Sequence, residues 1–229
     1  MSPLDAPIWH ALAGPHARLA LVKGRARRYP GEVSPFAALE ARDADALADL
    51  AALVSPGDVI AVFAPSESLP ERDWKRLFWL DGSQWVCERA VAPPAREPAT
   101  LADADVDAML ALAKRTEPGP FERRTIEMGR YVGFRDDAGP LLAMGGERMH
   151  LPGYTEVSGV CTAPEARGRG LAEAIVRAVA SGIQARGETP FLHVRTGSPS
   201  EAIATALYQR VGFHERRRFR LEIAQRRAS

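Results

Sequence analysis

The feature that most constrains this chain is a strand, a glycine-bearing turn and a helix in immediate succession. Glu156-Val157-Ser158-Gly159-Val160-Cys161-Thr162 has the β-branched content of a strand. Leu171 to Arg186 repeats apolar residues at Leu171, Ile175, Val179 and Ile183, which is helical spacing. Between them lies Arg167-Gly168-Arg169-Gly170-Leu171-Ala172. A turn that opens a helix exposes unpaired backbone N–H groups at the positive end of the helix dipole, a place suited to phosphate. Gly168 and Gly170 let the chain bend and let a ligand approach the backbone.

Two well-known phosphate loops are excluded. A Walker loop needs Gly-x4-Gly-Lys-Ser/Thr, and no such run occurs. A dinucleotide fingerprint needs Gly or Ala three residues past the second glycine, and Glu173 stands there. Charge is nearly balanced, with 30 Lys and Arg against 29 Asp and Glu, so no nucleic-acid or membrane partner is expected. The arginines at 216, 217, 218, 220, 226 and 227 read as a solvated strand and a frayed terminus. Cys87 and Cys161 sit in apolar runs without metal-ligand spacing, which predicts a reduced, cytoplasmic protein with no metal. Met1 to His10 lacks the basic and apolar regions of a signal peptide, and no apolar stretch is long enough to span a bilayer.

The proline-rich run Val91 to Pro98 divides the chain into an expected α/β domain, 1–95, and a second domain, 96–229. In the first, Ser34-Pro35 reads as a helix start. The helical pattern runs through Phe36, Leu39, Leu47, Leu50 and Leu53, with an interruption near Asp43. Val59 to Phe63 reads as a strand bounded by Pro65, Trp74 to Leu80 as an apolar cluster, and Gln84 to Val91 as a strand. His10 and His16 read as surface or capping histidines. In the second, a helix from Asp103 to Lys114 is stopped by Glu117-Pro118-Gly119-Pro120. Tyr131 to Phe134 and Leu141 to Met144 flank a turn at Asp136-Asp137-Ala138-Gly139-Pro140. Phe191 to Val194 reads as a buried strand, Ser198-Pro199-Ser200-Glu201 as a capping box, and Ile203, Leu207 and Val211 as a helix ending at Gly212. The last strands run to Ile223.

The loop, with Arg167, Gly170 and Ala172 at its fixed positions, fits Arg/Gln-x-x-Gly-x-Gly/Ala, and in this the chain resembles the GNAT acetyltransferases. A second segment, Ala204 to Phe213, is similar to that family's Ala-x-x-Leu-Tyr-x-x-x-Gly-Phe. The resemblance covers roughly Ala99 to Ile223, and the order of elements agrees with it. It departs at Glu201, where many members carry Asn that helps to hold coenzyme A.

The resemblance implies an α/β fold, a mixed central sheet flanked by helices, behind a smaller α/β domain of unknown role. That first part could be a decayed relative of the same fold, although no motif supports this. The implied activity is acetyl transfer from acetyl-CoA directly to an amine on a small molecule or peptide. The backbone of Arg169, Gly170, Leu171 and Ala172, with Gly168 in the turn and Arg167 at its edge, would meet the pyrophosphate. The strand at Val160, Cys161 and Thr162 would pair with the pantetheine arm. Tyr208 would protonate the leaving thiolate. Glu156 is the expected base, its pKa raised by burial, with His193 or a water chain as alternatives. Glu147 and His150 are further candidates for the acceptor cleft. An acyl-CoA-binding module without turnover, a longer acyl chain and a homodimer stay open.

Overall fold

In the computed structural model, residues 2–64, 68–136 and 139–228 are described. Pro65 and, in the expected hairpin turn, Asp137 and Ala138 lie outside them. The chain opens with a 3-10 turn, Pro3–Asp5, and α1, Pro7–Ala13. β1 (Leu21–Lys23), β2 (Ala26–Arg28) and β3 (Ala37–Leu39) form a small antiparallel sheet. Next come α2 (Ala44–Leu53), β4 (Val59–Phe63) and β5 (Trp74–Val86). After the proline-rich run come β6 (Ala99–Leu101), α3 (Val106–Thr116), β7 (Tyr131–Arg135), β8 (Leu141–Leu151) and β9 (Tyr154–Thr162). The chain ends with α4 (Leu171–Ala185), β10 (Thr189–Arg195), α5 (Glu201–Val211) and β11 (His214–Arg226).

The main sheet has eight strands in the order β4-β11-β5-β10-β9-β8-β7-β6. Every neighbouring pair is antiparallel except β9 and β10, which α4 joins by a crossover, as a parallel pair requires. The sheet takes strands from both sides of the expected boundary at residue 95. β5, from the first half, sits between β10 and β11 and is antiparallel to both.

The local rules explain most elements. Leu171, Ile175, Val179 and Ile183 are all buried along one stripe of α4, and the chain turns away at Gly187, whose φ of +78° suits glycine. Glu117 ends α3 in the left-handed region just before Pro118. Four expectations need correction. Phe36 to Leu39 is not helical: Ala37–Leu39 pairs with β2, and the helix starts only after Asp43, whose carboxylate caps the Ala46 N–H at 3.0 Å. Trp74 to Val86 is one long strand, and Val91 lies beyond it, its N–H bound by the Gln184 side chain.

The expected capping box at Ser198 does not form: the helix starts three residues later, and the Ser198 hydroxyl donates to the Arg195 carbonyl instead. α5 starts at Glu201, whose carboxylate reaches back to the Gly197 N–H at 2.6 Å. The C-terminal arginines do lie on a strand, but its end is not frayed: Arg226 and Arg227 donate to the Asp73 and Trp74 carbonyls. β11 continues to Arg226, with Arg216 and Arg217 on Asp5 and Arg220 on Asp81.

Two apolar layers sandwich the middle of the sheet. On one side Trp85, Val157, Leu192 and Val194 meet the buried stripe of α4. On the other, Leu4, Ile8 and Leu12 of the N-terminal helical segment lie with Tyr29 and Phe36 against Val86 and Phe191. The N-terminal segment therefore roofs the centre of the sheet.

Candidate active site

β9 and β10 pair only at Tyr154, Thr155 and Glu156, opposite Thr189, Pro190 and Phe191. Past Glu156 they part, so Val157 to Thr162 has no ladder partner on that side. The cause is visible in β9 itself. Its register against β8 slips between Ser158 and Cys161, with Gly159 at φ +65°, a bulge that bends the strand. On β8, Gly145 faces this bulge. A Cβ there would lie 2.5 Å from Ile175 and 3.0 Å from Val160, so only glycine lets β8, β9 and α4 come together. The result is a fork with half-buried Val160 and Thr162 on its open limb.

The glycine loop follows that limb. Arg167, Gly168, Arg169 and Gly170 are all exposed. Gly170 is the N-cap of α4 at φ +74°, and no side chain caps the first turn. A Cβ built on Gly168 or Gly170 would meet nothing within 4 Å, so the space above the loop is open. Leu171 is buried and anchors the helix, while Ala172 is half-buried. Arg169 also braces the loop through the Glu165 carbonyl at 3.0 Å. These features fit the pyrophosphate and pantetheine of a coenzyme A group. Open room lies over uncapped N–H groups, and on the fork limb the Thr162 hydroxyl is buried without a protein partner.

Cys161 is buried, and burial pushes its thiol up to about 11, with the Thr116 hydroxyl pulling weakly the other way. Such a thiol stays protonated and is a poor nucleophile. Tyr208 lies on α5, half-buried, with its ring 6.1 Å from Phe213. Arg210 of the same helix reaches Glu173 in the first turn of α4 at 3.5 Å, which ties α5 to the loop. Burial pushes the Tyr208 phenol up to about 12, above the ordinary value that the sequence suggested.

Glu156 does not have the raised pKa expected of a base. It is fully buried, and burial alone would push its pKa upward. Arg148, bidentate at 2.8 and 2.7 Å, and His193 Nδ1, at 2.7 Å, outweigh that and hold the carboxyl at about 2. It is an ionised group with its oxygens engaged, under the N-terminal segment. His193 Nε2 is engaged as well, at 3.1 Å from the Gln84 amide. Glu147 and His150 lie toward the start of β9, the far end from the loop. They line a shallow hollow of about 330 Å³ with His16, Arg18 and Arg130. His16 is no surface residue: it is 3% exposed and bound to the Tyr29 hydroxyl at 2.9 Å.

The structure thus brings the loop, the fork limb and α5 together and sets Glu156 and His193 aside as a buried pair. Arg148 and Gln84, their partners, and Arg216 and Asp5 behind Gln84, were not read from the sequence in this role. The signal was present in Glu147-Arg148, two charges inside an otherwise apolar strand run. Among the described residues no group of three or more His, Cys, Asp or Glu could hold a metal, and no helix is long and apolar enough to cross a membrane.

A family model described as FR47-like protein matches residues 131–221. A putative acetyltransferase from the GNAT family of Novosphingobium aromaticivorans superposes with a TM-score of 0.89 and 37% identity over 100% of both chains. A GCN5-related N-acetyltransferase from Kribbella flavida shares the fold at a TM-score of 0.59 and 16% identity, over 98% of this chain and 94% of that one. A Drosophila protein does so at 0.63 and 14%, over 87% and 73%. Among curated proteins, none matches this chain. With the forked strands, the glycine loop and a full-length relative at 37% identity in agreement, the chain belongs to the GNAT family of acetyltransferases.

Proposed function

We propose that the chain transfers an acetyl group from acetyl-CoA directly to an amine. The observation that carries this reading is the open limb of β9 running into an uncapped glycine loop. Unpaired strand amides suit the amide groups of a pantetheine arm, and the loop N–H groups suit its pyrophosphate. The bound coenzyme supplies an activated thioester. The amine nitrogen attacks the carbonyl carbon, the C–S bond breaks, the nitrogen loses a proton and the sulfur gains one. A backbone N–H near Val160 is the natural partner for the negative charge that grows on the carbonyl oxygen.

Tyr208 is the proton or hydrogen-bond donor to the departing sulfur. A phenol at about 12 facing a thiol of ordinary pKa ~8.5 transfers its proton uphill, so donation of a hydrogen bond is its larger contribution. Direct transfer is favoured over an acyl-cysteine route, because the Cys161 thiol is buried and protonated. With the Glu156 carboxylate weakly basic, enclosed and engaged by Arg148 and His193, the amine proton leaves through water. The reduced cysteines support a cytoplasmic protein.

Calorimetry with coenzyme A, followed by thiol release from acetyl-CoA across a panel of amines, tests the reading. Binding with turnover on at least one amine is expected. Tyr208→Phe should then lower kcat by about a hundredfold, the low end for a lost acid, and leave coenzyme A binding intact. Absence of coenzyme A binding would overturn the reading. Tight binding without turnover on any amine would favour an acyl-CoA-binding module.

A further inference from the structure

We propose that His193, set by Gln84 from the first half of the chain, is a positioning residue that holds the β9–β10 fork at its working width. Its purpose rests on the acetyltransferase reading; its substance is the fork itself. Glu156 and Phe191 are the last paired residues before the strands part. His193 stands two residues past Phe191, on the same face, and its Nδ1 lies 2.7 Å from Glu156 Oε1. That bond reaches back across the point where the ladder ends. Beyond the last rung, this side-chain clip ties the two limbs by a polar contact.

The donors in the clip can be assigned. Gln84 Oε1 lies 2.9 Å from Arg216 Nη1, and a guanidinium only donates, so the amide orientation is set. The Gln84 NH2 group therefore faces both the Leu4 carbonyl, at 2.9 Å, and His193 Nε2, at 3.1 Å. Nε2 accepts, so Nδ1 carries the proton that His193 donates to Glu156. Arg216 is the bulged residue of β11, turned toward Gln84 where the register slips, and its other nitrogen meets Asp5 at 2.6 Å. Phe63, Phe191 and Phe219 wall the imidazole at 6.0, 5.6 and 4.9 Å between centroids, which holds the ring in place. A rigid run of contacts thus joins the N-terminal turn to the apex of the coenzyme fork. No member of it faces the open limb, so it acts through backbone position.

Two substitutions separate a clip from a merely stabilising core residue. His193→Phe keeps a ring and removes both nitrogens. His193→Asn has an amide nitrogen that can stand where Nδ1 stands. Coenzyme A affinity by calorimetry and amide hydrogen exchange along β9 are the readouts, beside the thermal midpoint. His193→Phe should weaken coenzyme A binding about tenfold and speed exchange between Val157 and Thr162, while the interior amides of α4 stay unchanged. His193→Asn should restore both toward the wild type. A folded His193→Phe with wild-type affinity and wild-type exchange overturns the clip, whatever its midpoint. Should His193→Phe not fold, Gln84→Leu should move both readouts the same way by a smaller amount, and no change there overturns it equally. A wild type that binds no coenzyme A would defeat the acetyl-CoA reading, and exchange along β9 would still decide the clip.

Discussion

Two charged regions flank β9, and they behave in opposite ways. At its end, the loop from Arg167 to Gly170 is exposed, its glycines face open space and its helix start has no side-chain cap. At its beginning, Arg148, Glu156 and Gln84 are buried with half-buried His193, and each side chain meets another. Both regions carry arginines, yet only the loop has donors to spare. Capacity to bind lies where hydrogen bonds are unmade; a buried charge with all its partners is architecture. Glu156, the base expected from the sequence, stands on the buried side of that division.

The strongest way to break the contrast is to unpair the buried side. Arg148→Ala leaves the Glu156 carboxylate deep in the sheet with His193 and a long bond from the Met149 N–H, at 3.4 Å, but no cation beside it. A loss of about 3 to 5 kcal/mol in denaturant unfolding is expected. Stability within about 0.5 kcal/mol of the wild type would mean that the buried pair is not what it is taken to be here.

The buried side should also respond to acid in two windows. Burial, with help from the nearby His150 and Arg18, lowers His16 to about 4 from an ordinary 6.5. A depressed histidine favours the folded state in its neutral form. Its contribution, about 3 kcal/mol at full size, is present above pH 6.5 and is lost as pH falls toward 4. His150, also held low chiefly by burial, adds in the same sense. Glu156, depressed to about 2, gives up its contribution only as pH falls from about 4.5 toward 2. Urea midpoints between pH 7 and 4 should therefore fall in the wild type and fall less steeply in His16→Gln. Parallel slopes would remove His16 from the acid response.

Gly170→Glu tests the open side. A carboxylate would enter the space above the loop, and coenzyme A affinity should drop about a hundredfold or more. Unfolding should change by only about 1 kcal/mol, the cost of a left-handed residue, because the added Cβ meets nothing. Unchanged calorimetric binding would remove the loop from the site. The smallest effect is expected at Cys161→Ala. The fork limb acts through its backbone, so activity should persist within about twofold and stability should shift by about 1 kcal/mol. Loss of turnover there would revive a covalent route.

Several of these features were legible before any fold was known. Ile175, Val179 and Ile183 declared α4, Gly187 and Gly212 the ends of α4 and α5, and Gly168 and Gly170 an open loop. The strand Ala37–Leu39 was misread as helix, since three residues of strand carry too little period to outweigh a Ser-Pro start signal. The place of β5 between β10 and β11 was invisible. Backbone ladders accept nearly any sequence, and Val86 pairs with Phe191 and His214, partners far away along the chain.

By itself the sequence determined the local geometry of this protein: helix faces, glycine turns and the phosphate-type loop, because periodicity and φ preferences act within a few residues. Only the tertiary structure decided how Glu156 ionises and where the strands part. The carboxylate's state is a sum over Arg148, His193 and its burial, and the run of contacts behind His193 extends to Asp5 and Arg216, at opposite ends of the chain. Such sums are formed by proximity in space, which the linear order of residues does not contain.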